Sequence, residues 1–340
     1  MKHFFVFVGL VFLGVAFYWG FKSYDNRENA RPVLVVYASS SFVSQWGPGP
    51  WLKTEFEKNC DCVVEFHEAL DTYLLIQKIR SDLGGRGVDL VLSLDTLDLE
   101  IAEKQLTWKE LQGDWRSWDE GLEGGKSRFF LPYNYSALAF VYRTSDGISK
   151  PTSIQDLTLP QFKDQFVLID PRSSSLGLQF VNWVYQAYGE DMARTLLQQI
   201  HQNVKLLAAN WSSAYGMFRE KQVAMALSYI TSPFYHRIEE KSNDIQAILF
   251  REGHPLFIEY LGIPEVCENC ELAQQFITFL LGDVGQKIIM EKNYMLPIRK
   301  KVREGTVFAD VPPFHLLKSK YPEKGREFLL SLWVQSRKAQ

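Results

Sequence analysis

Strand-like and helix-like segments alternate along the chain, and this alternation limits the possible fold more than any other sequence feature. Val33–Tyr37, Cys62–Phe66 and Val88–Leu94 are short runs with few polar interruptions, typical of strands that are covered on both faces. Between these runs, Ser44–Lys58 carries the turn residues Gly47–Pro50 followed by a helical stretch, and Thr72–Asp82 has a helical pattern. The order strand, helix, strand, helix, strand predicts βαβ units with parallel pairing and right-handed crossovers.

The same alternation restarts after residue 136 and predicts a second α/β unit. The further predicted strands are Ala137–Arg143, Phe166–Ile169 and Val223–Ser228. The further predicted helices are Gly177–Tyr188, Asp191–His201, Ser212–Lys221, Leu272–Leu281, Gly285–Lys292 and Lys324–Arg337. Two such units predict a bilobed protein whose cleft lies at the carboxyl ends of the strands. We expect lobe 1 at 32–135, lobe 2 at 136–254, and a helical part at 255–340 that completes the lobes and returns partly to lobe 1.

Charge and motif content exclude several classes of function. The 37 basic and 40 acidic residues give a net charge of −3, so no domain-wide basic field favours nucleic acid as a partner. The hydrolase elbow, the zincin helix, the phosphate-binding loop and the dinucleotide fingerprint are missing from the sequence. The six His residues lack metal-ligand spacing. We therefore expect a protein that is not an enzyme, with no metal and no cofactor.

The first 22 residues form a separate apolar segment. Phe4–Gly20 carries no charge and lies between basic residues, at the lower end of the roughly 17–25 residues that span a bilayer. It is longer than the apolar part of a typical secretory signal. Residues 1–22 are therefore a signal peptide or an uncleaved anchor at 4–21, with the anchor slightly favoured, and 23–31 is a polar linker. Either alternative places the rest of the chain outside the cytoplasm.

The four cysteines form two close pairs, Cys60 with Cys62 and Cys267 with Cys270. Free thiols and a metal or redox role are alternatives for such spacing. Because export places the chain in an oxidising compartment, local disulfides are favoured.

Two segments that follow predicted strands carry candidate binding groups. Ser174 and Ser175 open a helix whose free backbone N–H groups would hold a phosphate or a carboxylate, although plain helix capping also explains the serines. Trp211 precedes a helix, and Tyr229 and Tyr235 flank a turn. These aromatic side chains would line a slot for a flat ring, most favourably a cationic one, and core packing is the alternative.

Asp71 lies in the opposite predicted lobe, directly before a helix. Its carboxylate would pair with a cationic or amino-bearing ligand, and capping of the helix is the alternative.

Several strings, taken in order, resemble the thiamine-binding periplasmic proteins, which are the solute receptors of thiamine ABC importers. The strings are Trp46–Pro50 (WGPGP), Asp89–Asp95 (DLVLSLD), Asp170–Arg172 (DPR), Trp211–Gly216 (WSSAYG), Ser228–Glu240 (SYITSPFYHRIEE), Glu252–His254 (EGH) and Glu271–Phe276 (ELAQQF). The resemblance implies a periplasmic-binding-protein-like fold of type II, with two α/β lobes that close on the ligand by a hinge. Here an N-terminal hydrophobic helix would precede the lobes.

The family's ligand residues correspond to a defined set in this chain. They are Asp71, Thr72, Ser174, Ser175, Trp211, Tyr229, Ile230, Thr231 and Ser232, to which we add Tyr235. The resemblance implies that the aromatic residues flank the thiamine rings and that Asp71 meets the cationic side. The helix start at Ser174 would accept the hydroxyethyl or phosphate end.

The chain departs from the family at several places, which include Thr72 in place of a Gly beside Asp71 and an added Cys267/Cys270 pair. Ser39–Ser41 stand where the family has Tyr-Asp-Ser, and Tyr294 stands where it has Trp. The change at Ser39–Ser41 removes an aromatic side chain and a carboxylate from lobe 1.

The resulting prediction is a periplasmic receptor for thiamine or thiamine phosphate that delivers its ligand to an ABC permease. The N-terminal segment, if uncleaved, would hold it at the inner membrane. One alternative is a thiaminase-like enzyme on the same fold that uses Cys60 or Cys62. The other is a ferric-iron receptor that uses Tyr229 and Tyr235.

Overall fold

The computed structural model describes residues 31–70, 72–82, 87–111, 122 and 127–338. Its strands are β1 Val33–Ser39, β2 Val63–Ala69, β3 Leu90–Asp95, β4 Leu131–Arg143, β5 Phe166–Ile169, β6 Leu206–Ala208, β7 Met225–Tyr229, β8 Ile245–Ile248, β9 Leu256–Gly262 and β10 Leu296–Pro297. Its α-helices are α1 Ser40–Val43, α2 Gly49–Glu57, α3 Thr72–Asp82, α4 Thr96–Gln105, α5 Ser175–Tyr188, α6 Glu190–Asn203, α7 Trp211–Arg219, α8 Ser232–Glu239, α9 Cys270–Leu281, α10 Asp283–Asn293 and α11 Arg326–Lys338.

Parallel pairs form where the sequence predicts βαβ units. β1 lies between β2 and β3 and is parallel to both, and β5 lies between β6 and β7 and is parallel to both. β3 is buried along its whole length, as a strand covered on both faces requires.

Antiparallel pairing, which the sequence did not predict, joins the two parallel groups. The order of the sheet is β2-β1-β3-β9-β4-β7-β5-β6, and β8 and β10 also pair with β4. No strand was predicted between residues 229 and 271, yet β8 and β9 lie there. β9 carries a single acid, Glu259, within an otherwise apolar run, a pattern similar to that of the predicted strand Cys62–Phe66.

β4 belongs to both halves of the molecule. Its first part, Leu131–Ala137, pairs with β9, and its second part, Leu138–Tyr142, pairs with β7. Two hydrophobic clusters lie on either side of this change of partner. The first contains Leu34, Leu90, Tyr260 and Phe276, and the second contains Phe140, Trp183, Met225 and Trp333.

The turn and the following helix that were predicted within Ser44–Lys58 are present, and this helix is α2, whereas the short helix α1 before the turn was not predicted. A Cβ atom on Gly47 would lie 2.2 Å from the carbonyl oxygen of Ser41, so the chain folds back on itself at a position that only glycine permits. α2 therefore begins at Gly49, with Pro50 in its first turn.

The cysteines form the two local disulfides that the sequence analysis favoured. Cys60 is bonded to Cys62, and Cys267 is bonded to Cys270. Neither Cys60 nor Cys62 is therefore a free thiol.

The predicted N-terminal segment 1–22 and the linker up to residue 30 lie outside the described residues. Among the residues that are described, no helix is both long enough and apolar enough to cross a membrane.

A buried histidine joins β4 to the connection between β8 and β9. His254 is fully buried, its Nδ1–H donates to the Leu138 carbonyl at 2.6 Å, and its Nε2 accepts the Phe250 N–H at 2.9 Å. Burial lowers the pKa of His254 below its ordinary range, because a charged imidazole would lose its hydration there. The folded protein therefore holds this side chain neutral.

We predict that the free energy of unfolding falls as the pH drops below about 6.5, where the unfolded chain takes up a proton that folded His254 resists. The variant His254→Gln is expected to lose part of this dependence and about 1–3 kcal/mol of stability at pH 7.5. Urea unfolding at pH 7.5 and 5.5 measures both effects. The exposed His315→Gln variant is the control, and the prediction is wrong if both variants keep the wild-type slope.

Candidate functional site

Trp211 is held in place at the start of α7. The Asn210 side chain caps the helix by accepting the Ser213 N–H at 2.9 Å. The indole Nε1 of Trp211 donates to the Ser228 hydroxyl at 2.9 Å, and that hydroxyl lies 2.7 Å from the Ser232 hydroxyl. These hydrogen bonds hold the indole of Trp211 in one orientation.

Tyr215 supports the indole from one side. Its ring stacks on Trp211 at 4.9 Å with 23° between the planes, as expected for residues one helical turn apart. The Tyr215 hydroxyl lies 2.9 Å from Nε2 of His236, whose Nδ1 lies 2.6 Å from a carboxylate oxygen of Glu240. Burial, with Glu240 nearby, raises the pKa of Tyr215 above its ordinary range. Trp211 itself remains half-buried.

The segment that starts at Tyr229, the last residue of β7, contains one half-buried side chain followed by buried ones. Tyr229 is half-buried, and its ring centre lies 5.2 Å from that of Phe257. Ile230 packs in a small cluster with Ala137 and Ala139. Thr231 is fully buried, with its hydroxyl 2.9 Å from that of Ser136. Of these predicted ligand residues, Tyr229 is the one whose side chain keeps an accessible part.

Tyr235 lies in α8 beside Tyr294, the residue that stands where the family has Trp. The two rings meet edge to face at 5.2 Å, and the guanidinium of Arg219 lies 5.3 Å from the Tyr235 ring centre. The Tyr294 hydroxyl donates to Glu239 at 2.8 Å. Burial and this carboxylate raise the pKa of Tyr294 above its ordinary range.

The predicted anion site at the start of α5 lies against a carboxylate of the chain itself. Ser174 and Ser175 are buried, and the Ser175 hydroxyl donates to Asp98 of α4 at 3.0 Å. Arg326 of α11 lies 3.5 Å from the same carboxylate. Asp98 therefore joins α4 to α5 and α11, a contact that the sequence did not predict.

The predicted acidic side of the site is only partly described. Asp71 and the side chain of Thr72 lie outside the described residues, and α3 begins at Thr72.

A polar network of lobe 1 was also missed by the sequence analysis. Glu259 of β9 accepts Nδ2–H of Asn134 at 2.6 Å and Nδ2–H of Asn293 at 3.2 Å. Tyr133 is a further hydrogen-bond partner, and its hydroxyl lies 3.5 Å from that of Ser93. Burial raises the pKa of Glu259 although these groups donate to it. One signal in the sequence points to this site, namely a single acid within the apolar run LFIEYLG.

A cavity of about 490 Å³ lies between α7, α8 and β8. Its walls include Arg143, Lys221, His236 and Asp244, but none of the predicted ligand residues.

Comparison with known proteins gives consistent results. Residues 51–314 match the family described as "Bacterial extracellular solute-binding protein". The chain is 34% identical over 271 residues to the thiamine-binding periplasmic protein of Brucella melitensis, which covers 80% of each chain. It is 33% identical over 270 residues to that of Escherichia coli K12, which covers 79% of this chain and 82% of the relative.

A solved structure confirms the predicted fold of type II. The periplasmic thiamin binding protein superposes with a TM-score of 0.80 at 29% identity, covering 92% of this chain and 97% of that one. The N-terminal helix of the prediction lies outside this confirmation, because the structure does not describe it.

We predict that Ser175→Ala lowers the free energy of unfolding by about 1–3 kcal/mol, because buried Asp98 loses a hydrogen-bond donor. Ser212, exposed on α7, provides the matched control, and Ser212→Ala is expected to change stability by less than about 0.5 kcal/mol. Urea unfolding measures both. Equal effects of the two substitutions would contradict the role assigned to Ser175.

Proposed function

The chain belongs to the bacterial extracellular solute-binding proteins and, among them, to the thiamine-binding periplasmic proteins, and from this we propose that it is a periplasmic receptor for thiamine. It binds thiamine reversibly between its lobes and delivers it to the permease of an ABC importer. The N-terminal segment, if it is not removed, holds the receptor at the inner membrane.

The observation that carries this proposal is the fixed, half-buried indole of Trp211. Thiamine has two flat rings, and one of them, the thiazolium, carries a permanent positive charge. A cation over an indole face gains about 2 kcal/mol or more when water is excluded. Tyr215 covers one face of Trp211, so a ring of the ligand stacks on the other face. Tyr229 and Tyr235 contribute further aromatic surface beside it.

The remaining predicted residues have complementary roles. Asp71, with Thr72, faces the cationic side of the ligand. Ser174 and Ser175 receive the hydroxyethyl end at the start of α5. Because the Ser175 hydroxyl already donates to Asp98, which is itself paired with Arg326, a ligand hydroxyl, which can donate, fits there better than a phosphate, which mainly accepts. The receptor therefore prefers thiamine to its monophosphate.

The protein returns its ligand unchanged. A thiaminase-like mechanism needs a nucleophilic thiolate, and Cys60 and Cys62 are joined in a disulfide. The other alternative, ferric-iron binding, requires clustered tyrosine ligands. Tyr229 and Tyr235 instead contact different aromatic partners, Phe257 and Tyr294.

Calorimetric titration of the purified protein with thiamine tests the proposal. We expect saturable binding, weaker binding of thiamine monophosphate, and no loss of thiamine on incubation. No heat and no thermal shift at millimolar thiamine would contradict the proposal.

The variant Trp211→Ala is expected to weaken thiamine binding by at least about tenfold, because the ligand ring loses its stacking surface. Trp211→Phe keeps a flat ring and should lose less. Trp51→Ala is the matched control, since Trp51 is about half exposed on α2 and lies against Lys292. Equal affinities of Trp211→Ala and Trp51→Ala would show that Trp211 does not bind the ligand.

A further inference from the structure

Glu259 is a half-buried carboxylate without a cationic partner in the described part of the chain. Its hydrogen-bond partners there are all neutral donors, the amides of Asn134 and Asn293 and the hydroxyl of Tyr133. A carboxylate removed from water is costly unless it is fully bonded or meets a positive or N–H-bearing group. Such a group would compensate for the desolvation of Glu259.

A second buried acceptor lies directly beside it. Asn134 is fully buried, and its Nδ2–H is used by Glu259. The other side-chain atom, Oδ1, is buried and has no hydrogen-bond partner within the described ranges. A buried acceptor that lacks a donor is rare in native structures and indicates a missing water or ligand. Glu259 and Asn134 together therefore offer two adjacent acceptors.

The strand register places these acceptors next to the predicted aromatic site. Glu259 and Asn134 are directly opposite each other in β9 and β4, and so share one face of the sheet. Two residues along, on the same face, Phe257 contacts the Tyr229 ring and Ser136 contacts Thr231. Because β4 changes partner at Leu138, this face lies where the two halves of the sheet meet.

Two further contacts connect Glu259 to the same region. Asn293, which bonds to Glu259, directly precedes Tyr294, and Tyr294 contacts Tyr235. Tyr133, the third partner of Glu259, has its hydroxyl close to that of Ser93. The Ser93 hydroxyl in turn accepts a hydrogen bond from the hydroxyl of Ser39, at the carboxyl end of β1. The carboxyl ends of parallel strands are where ligands of such sheets bind.

We propose that Glu259 and Asn134 bind the 4-amino group of the ligand's aminopyrimidine ring and thereby determine specificity. This inference rests on the proposed function. The amino group carries two N–H donors, one for each acceptor. The thiazolium nitrogen is quaternary and has no N–H, so it cannot donate a hydrogen bond to an acceptor. Its positive charge is instead attracted to aromatic faces. The two rings of thiamine are thus recognised by different chemistry at different places.

The test combines one substitution with one change in the ligand. Thiamine and its analogue with a 4-oxo in place of the 4-amino group are titrated into the wild-type protein, Glu259→Gln and Glu265→Gln. Glu265 is the matched control, because it is an exposed acid of the same part of the chain paired with Lys109. Thermal melting of each unliganded variant checks its fold.

We expect the wild-type protein and Glu265→Gln to prefer thiamine to the 4-oxo analogue by at least about tenfold. Glu259→Gln is expected to lose at least about tenfold in thiamine affinity and most of this preference, because the Gln amide can donate to the 4-oxo group.

Three results would overturn the inference while leaving the proposed function intact. They are equal wild-type affinities for the two ligands, a Glu259→Gln variant that binds like Glu265→Gln, and equal losses for both ligands in Glu259→Gln. The first result comes from the wild-type protein alone, so it tests the inference even if Glu259→Gln does not fold. A wild-type protein that binds neither ligand would instead remove the proposed function, and this inference with it.

Discussion

The hydrogen bonding of β4 to two different sets of strands is the constraint on which the molecule depends. Leu131–Ala137 pairs with β9, and Leu138–Tyr142 pairs with β7, so a single strand fixes the two halves of the sheet relative to each other. Each half buries its own hydrophobic cluster. Residues from distant parts of the chain meet where the two halves of the sheet join. His254, which is hydrogen-bonded to Leu138, supports β4 at the point where it changes its partner strand.

The two sides of the site differ in chemistry. On one side, Trp211 is oriented by Ser228 and backed by Tyr215, which provides a rigid aromatic surface at little entropic cost. On the other side, Glu259 and Asn134 provide oxygen acceptors. A ligand with a cationic ring and an aminopyrimidine ring matches this division. In the proposed function, the hydroxyl end of the ligand lies at the start of α5, where Ser175 already donates to Asp98 of α4.

Whether a feature of the fold or of the candidate site could be predicted from the sequence depends on how far apart along the chain its interacting residues lie. β1, β2 and β3 were predicted because mainly apolar runs with few polar interruptions are a local signal, and the stacking of Tyr215 on Trp211 follows from helical spacing. The turn at Gly47–Pro50 was predicted from its residue types, whereas the helix α1 before it was not, and the close backbone contact that Gly47 makes with Ser41 is visible only in the structure. The role of Glu259 was missed because it depends on a hydrogen bond from Asn134, which lies 125 residues earlier in the chain. The resemblance to a known family supplied the ligand residues that no local pattern identified.

A crystal structure of the protein with bound thiamine tests the central claim most directly. We expect one ring of the ligand to lie parallel to the Trp211 indole, and the amino nitrogen to lie about 2.7–3.2 Å from an oxygen of Glu259. A ligand found away from both residues, for instance in the cavity beside Arg143 and Lys221, would contradict the claim.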